Sequence, residues 1–438
     1  MRLRGNKKVF NLHTNNFVSE FINIKKYFSA KELKFIAKIG EYADEFGIKA
    51  YLVGGFVRDL FLGKKNMDLD ITVEGDGIKF TEFLARKLNF PFKCFEKFKT
   101  GKIFLKNSNI DITSARSEYY KEPAALPDIK FSAIQKDLYR RDFTINAMAI
   151  QINKCNFGKF IDFFSGLKDL KNGIIRILHN KSFNDDPTRI LRAIRFEQRF
   201  GFKIERKTLN LLKQTIKKDI FKKLPGERLR DEILLILKEK NAYKILKRGM
   251  NLGIWEKIFN GLKFNKTTEK ILKNIDIFIK IPVFKNIDME CVYLMLFFYS
   301  LNLNQTHSII ERLKLKNQWK NKILNAKKAE KNICKQIKNL KNNKKRIFIL
   351  LKEFDKEELF YFVLIYGKSI SVIIEKYLKI YSQKKLYVTG EDLKKIGIKQ
   401  GPVYKKIFLD TLLEKIDGKI TTKSHEIEFI KNKLKGGR

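Results

Sequence analysis

The residues best equipped for chemistry fall in three short stretches. In YLVGGFVRDLFLG, residues 51–63, an apolar strand runs into Gly54-Gly55 and then into a helix carrying Arg58 and Asp59. Paired glycines let the backbone come close to a ligand, and the helix start behind them presents N–H groups, a combination suited to phosphate. The pattern is not GxGxxG, so a dinucleotide-binding fold is not implied. Shortly afterwards comes Met67-Asp68-Leu69-Asp70-Ile71-Thr72. On a strand, Asp68 and Asp70 share one face while Leu69 and Ile71 point to the core. Two neighbouring carboxylates repel unless a cation lies between them. Mg²⁺ favours carboxylate and phosphate oxygens and fits a DxD beside a phosphate turn. Asp111, in IDITSA, lies on a strand able to pair nearby. Metals held by these three acids would activate a hydroxyl nucleophile and neutralise a leaving pyrophosphate.

The second stretch is RRDFTINAMAI, residues 140–150. It reads as a strand opened by Arg140, Arg141 and Asp142, with Arg141 able to reach a triphosphate through two donors. The third is NDDPTRILRAIRFEQRF, residues 184–200. Asp186-Pro187 is a good helix opening. Arg189, Arg192 and Arg195 recur every three residues along one side of that helix, and Arg189 shares its sector with Ala193, Phe196 and Phe200. Asp186 and Arg189 offer an acceptor and a donor fork for the edge of a base, so that amino acids would choose the nucleotide without a template.

These groups need a scaffold. Ser29 and Glu32 form a capping-box pattern that predicts a helix to about Phe46. Strand patterns follow at 50–53, 69–73, 102–106, 109–115 and 143–152, interleaved with short helices, predicting a mixed α/β head that ends near residue 180. Beyond 181 the apolar spacing turns helical almost to the end, with buried faces expected at 233–237, 293–301, 347–351 and 360–365. The fold class expected is therefore α+β: a mixed-sheet head followed by an all-α remainder. The division reads as a basic extension (1–28), head (29–180), helical neck (181–250), helical body (251–382) and basic helical tail (383–438).

Composition narrows the partners. The 438 residues include 92 Lys+Arg against 48 Asp+Glu, a net charge of +44, which favours a polyanion such as nucleic acid. The apolar run from Cys291 to Leu301 is too short to span a bilayer, and the N-terminus shows no apolar signal region. Cys94, Cys155, Cys291 and Cys334 are far apart and without CxxC spacing, so disulfides and structural zinc are not expected and a cytoplasmic location is.

Together, LVGGFVRD…MDLDIT, RRDFTINAMA and DDPTRILRAIRF resemble the class II tRNA nucleotidyltransferases and the bacterial poly(A) polymerases over about residues 45–240, with a weaker echo at 389–407. The resemblance implies head, neck, body and tail, and transfer of CMP or AMP from CTP or ATP to the tRNA 3′ end. On matching positions it implies Mg²⁺ ligation by Asp68 and Asp70, and triphosphate contact by Gly54, Gly55, Arg58 and Arg141. It also implies base selection by Asp186 and Arg189, and further nucleotide contact by Arg192 and Arg195. Gly226 to Glu232 resembles a motif thought to steady the neck. One departure is Asp185-Asp186 where the family usually has Glu-Asp. The stretch 115–142 falls where the family has a mobile loop. Addition of CCA, of CC or A alone, poly(A) synthesis and a non-catalytic RNA-binding role all stay open at this level.

Overall fold

In the computed structural model the described residues are 18–64, 68–119, 124, 128–259, 261–262, 266–340 and 343–435. Met67 of the DxD stretch and Pro123 and Pro127 of the 115–142 stretch lie outside them. The chain divides into two compact units, one up to Pro225 and one from Gly226.

The first unit is built on a sheet whose strands are β1 (Val18–Phe21), β2 (Lys49–Val53), β3 (Leu69–Glu74), β4 (Phe92–Phe95), β5 (Thr100–Phe104), β6 (Asn109–Ser114), β9 (Ala149–Gln151) and β10 (Lys159–Asp162), in the order β1-β10-β9-β2-β3-β6-β5-β4. A separate hairpin is formed by β7 (Arg116–Tyr119) and β8 (Asp128–Phe131). Among the described residues of the large sheet only β3 and β6 pair in parallel, with Asp70 directly opposite Asp111. Helix α1 (Ala30–Glu45) starts at the expected capping box, the Ser29 side chain accepting from the Glu32 N–H. Helices α2 (Gly55–Phe61) and α3 (Gly77–Leu88) follow β2 and β3.

The sequence expectations hold for α1 and for the strands around 50–53, 69–73, 102–106 and 109–115. Two expectations are corrected. Residues 140–142 do not open a strand: they follow the end of α4 (Ile134–Tyr139), because Arg140 and Arg141 both fold back onto the buried carboxylate of Asp137. The strand expected over 143–152 is reduced to β9, preceded by one tight turn at Thr144–Asn146. That turn forms because Asp142 Oδ1 accepts from the Phe143 N–H and from Asn146 Nδ2, a local carboxylate turn that competes with the ladder. The stretch 1–28 also does more than extend the chain, since Val18–Phe21 pair with β10 at the sheet edge.

After α5 (Gly166–Asn172) and α6 (Ser182–Asp185), helix α7 (Thr188–Phe200) carries the arginine row and α8 (Arg206–Lys217) follows. Strand character persists past residue 181 in one place: β11 (Ile174–Ile175) pairs in parallel with β12 (Lys203–Ile204). The second unit is helical throughout its described residues, starting with α9 (Gly226–Leu237). Its aromatic core includes Trp255, Phe259, Phe297 and Phe298 in edge-to-face contact and Phe284 against Phe360. The helix at Met289–Phe297 ends before Leu301, slightly short of the buried face expected. Near the end, Val388, Leu393, Tyr404, Ile407 and Ile430 form a small core of their own. Within it the fully buried Glu426 accepts from Lys415 Nζ and from the N–H groups of Tyr387 and Val388.

Candidate active site

The acids come first. Leu69 and Ile71 are buried, Asp70 is half-buried and Asp68 is exposed. Parallel pairing of β3 with β6 places Asp111 beside Asp70 on the same face, as directly opposed residues in a ladder must be. Asp68 Oδ1 accepts from the Asn109 N–H at the start of β6. Burial raises the Asp70 carboxyl to about 6, helped by Asp111 and Asp68 and opposed by Arg141 and Lys102. Three acids gathered at one strand end, two of them in direct register, favour a cation among them. Among the described residues no group of three or more His, Cys, Asp or Glu is arranged to hold a metal alone. Mg²⁺ commonly takes one or two carboxylates and completes its shell with phosphate and water, so Asp68 and Asp70 fit it. Asp111 carries an ion pair instead, with Lys102 Nζ 2.9 Å from its carboxylate.

Beside the acids lies the glycine turn. β2 is antiparallel to β3 with Leu52 opposite Ile71, so Gly54 leaves its strand next to the Asp70 end of β3. Gly54 has φ +69°, which favours glycine, and a Cβ there would come within 2.3 Å of Arg141 Nη1. Arg141 thus lies over the turn. Asp137 accepts from its Nη2 at 2.9 Å, and Thr72 Oγ1 lies 3.5 Å away. Burial works against ionised Asp137, but Arg141 and Arg140 outweigh it and hold the carboxyl below its ordinary range.

Arg58 is placed differently. It is buried, pairs with Asp59, donates to Asn146 Oδ1 at 2.7 Å, and its guanidinium lies over the rings of Phe196 and Phe200. The structure uses it to join α2 to α7. Asn146 continues the chain by donating to Asp142 Oδ1, and Asp142 Oδ2 accepts from Arg192 Nε at 2.8 Å. Burial opposes charge on Asp142, yet Arg192, Asn146 and Arg189 together hold it at about 2.

On α7, Arg189 is buried and donates to Ser182 Oγ and to the Arg140 carbonyl, each at 2.6 Å. Asp186 lies two residues before the helix begins, its Oδ1 accepting from the N–H and hydroxyl of Thr188 in a local turn. Arg195 is buried with its guanidinium 4.9 Å from the Phe196 ring centre. Glu197, whose position blurs the apolar sector in the sequence, is buried as well.

The structure therefore gathers Asp68, Asp70, Asp111, Gly54 and Arg141 at one end of β2, β3 and β6. It ties Arg58 and Arg192 into the Asp142 network, and Arg189 to the carbonyl of the residue before Arg141. Sequence reasoning overlooked Asp137, Asn146 and Lys102. Asp137 had a signal, being three and four residues before two arginines on a helix. Lys102 had none until the register of β5 against β6 was known.

Residues 50–176 match the poly(A) polymerase head domain, and residues 201–265 match a domain described as the "Probable RNA and SrmB- binding site of polymerase A". An A-adding tRNA nucleotidyltransferase of Halalkalibacterium halodurans is 31% identical over 412 residues, which is 91% of this chain and 91% of that protein. The chain belongs to the class II tRNA nucleotidyltransferases. An A-adding tRNA nucleotidyltransferase of Geobacter sulfurreducens is 36% identical over 405 residues, 89% of this chain. This chain spans under half (46%) of that relative's length. A solved Thermotoga maritima CCA-adding enzyme in complex with tRNA is 34% identical, with a TM-score of 0.77 over 96% of this chain and all (100%) of that one. No helix among the described residues is long and apolar enough to cross a membrane.

Proposed function

We propose that this protein is a template-independent tRNA nucleotidyltransferase. It transfers CMP or AMP from CTP or ATP to the tRNA 3′ end and releases pyrophosphate. The observation that carries this reading is the register that sets Asp70 opposite Asp111 on the strand next to the Gly54 turn, with Arg141 lying over that turn. Asp68 and Asp70 would hold Mg²⁺, which when bound lowers the pKa of the attacking hydroxyl and offsets charge on the phosphates. Arg141, fixed by Asp137 and lying where a Cβ on Gly54 would stand, orients the triphosphate beside the glycine turn. Arg189, fixed at two donors by Ser182 and the Arg140 carbonyl, presents the rest of its guanidinium fork in a set direction, and Asp186 presents the acceptor. A fixed fork is what base discrimination needs, because a floppy one would accept any edge. In this reading 29–180 is the head and 181–250 the neck. The lysine-rich segments 251–382 and 383–438 grip the tRNA backbone as body and tail, and the four free thiols suit a reducing cytoplasm.

A second reading, addition of A alone, is favoured by the Halalkalibacterium relative, which aligns over 91% of both chains and is named for that activity. Product lengths separate the readings. The protein is incubated with CTP and ATP on tRNA lacking its end and on tRNA ending in CC. Growth by three nucleotides on the first RNA supports CCA addition. One A on the second RNA and nothing on the first supports A-only addition. Long tails on any RNA would overturn both in favour of a poly(A) polymerase.

A further inference from the structure

The two faces of the head sheet are covered unequally. Helix α3 packs on one face of β3, β4, β5 and β6. On the other face, the one bearing Asp70 and Asp111, Tyr51 and Val53 of β2 and Ala149 and Ile161 of β9 and β10 are buried under Ile134 and Leu138 of α4. That cover lies to one side of the acids. On the far side, ladder pairing sets Lys102 opposite Asp111 and Lys93 opposite Lys102, so one row runs Asp70–Asp111–Lys102–Lys93 out to the edge strand. Flanking this row on the same face, Phe95 stands opposite Thr100 and Phe104 opposite Asn109. Phe95 and Phe104 are 41% and 39% exposed, whereas Tyr51 and Val53 are each 3% exposed. The Lys93 ammonium lies 5.3 Å from the Phe95 ring centre.

The glycine turn and Arg141 are on the β2 side of the acids, so the triphosphate of the proposed reaction comes from there. Displacement at phosphorus requires the attacking and leaving oxygens to be roughly in line, on opposite sides of the transferred group. The RNA that supplies the hydroxyl must then arrive from the β6 side. The row from Asp70 to Lys93 crosses three strand spacings, roughly 14 Å, enough for a few nucleotides of single strand. A row of lysines flanked by exposed aromatic rings is the surface a single strand uses: phosphates on the cations, bases on the ring faces.

We propose that the exposed face made by Lys102, Lys93, Phe95 and Phe104 holds the single-stranded 3′ end of the acceptor RNA during transfer. The inference rests on the nucleotidyltransferase reading and adds the side from which the acceptor enters.

The test uses the full chain, tRNA ending in CC, and ATP. Wild type must first incorporate AMP; if it does not, the functional reading fails and this inference with it. Given that activity, Phe95→Ala and Phe104→Ala each raise the KM for tRNA roughly five- to a hundredfold, as loss of a base-stacking ring does, with the KM for ATP within about twofold of wild type. Phe95→Trp restores the tRNA KM, which a merely structural defect would not allow. Lys93→Glu weakens binding of a short CC-ending oligonucleotide and flattens its salt dependence. Unchanged tRNA KM in both alanine variants, or equal rises in the tRNA and ATP constants, would overturn the proposal. So would failure of the tryptophan variant to restore what alanine loses.

Discussion

At the residue scale, Asp70 ties electrostatics to function. Its carboxyl is raised to about 6, first by burial and then by Asp111 and Asp68, against an ordinary value of 3.8. The folded state therefore holds that proton more tightly than the unfolded chain. In the absence of metal, this group's contribution to stability falls as pH rises from 3.8 through about 6. A divalent cation binds the ionised form, so its stabilising effect must grow over the same window and be complete above it. The expected outcome is a larger rise of Tm with added Mg²⁺ at about pH 7.5 than at about pH 5. Equal increments at both pH values would place the cation elsewhere. His179 shows the opposite sense: burial, then Arg189 and Lys181, lowers it to about 4, so it stays neutral in the fold at neutral pH.

At the scale of elements, helix α7 is joined to α2 and to the turn before β9 by a buried polar chain, Arg58–Asn146–Asp142–Arg192. Asp142→Asn keeps the shape and removes the charge that faces Arg192. The expected cost is about 2 kcal/mol by urea unfolding, below the ~3–5 kcal/mol of a fully enclosed pair because Arg192 stays partly exposed. The KM for nucleoside triphosphate should also rise, since Asp142 follows Arg141 directly. A loss of stability without that rise would confine the network to a structural role. These elements also show what a sequence can reveal. A continuous apolar run marked β2, alternating apolar residues marked β3 and β6, and Ser29 with Glu32 marked the start of α1, because those signals are local. Residues 143–147 look like a strand by composition, but the Asp142 carboxylate binds the next N–H and Asn146, and a turn results. Arg58 stands next to the glycine turn in sequence yet spends its charge on Asp59, Asn146 and two phenylalanine rings. Such partners are set by tertiary contact, which one-dimensional spacing does not contain. The Asp70–Asp111 pairing and the Lys102 bridge likewise depend on register.

At the scale of the molecule, the excess of 44 positive charges is spread over a chain whose described second unit is helical and rich in lysine. Binding through the phosphate backbone releases counterions, so affinity for tRNA should fall steeply with salt, by about a hundredfold or more between about 50 and about 200 mM. A flat salt response would mean that the lysines contribute solubility and little grip. Within the second unit, Glu426 is fully buried and accepts from Lys415 and two backbone N–H groups, so Glu426→Ala should loosen the small core around Leu393 and Ile430. Limited proteolysis would read this as faster cleavage within about residues 383–438, and an unchanged digestion pattern would count against it. The most direct measurement compares wild type with Asp70→Ala for incorporation of labelled nucleotide into tRNA alongside tRNA binding. The variant is expected to bind tRNA nearly as well as wild type and to incorporate nothing. Turnover retained in Asp70→Ala would contradict a metal held by Asp68 and Asp70.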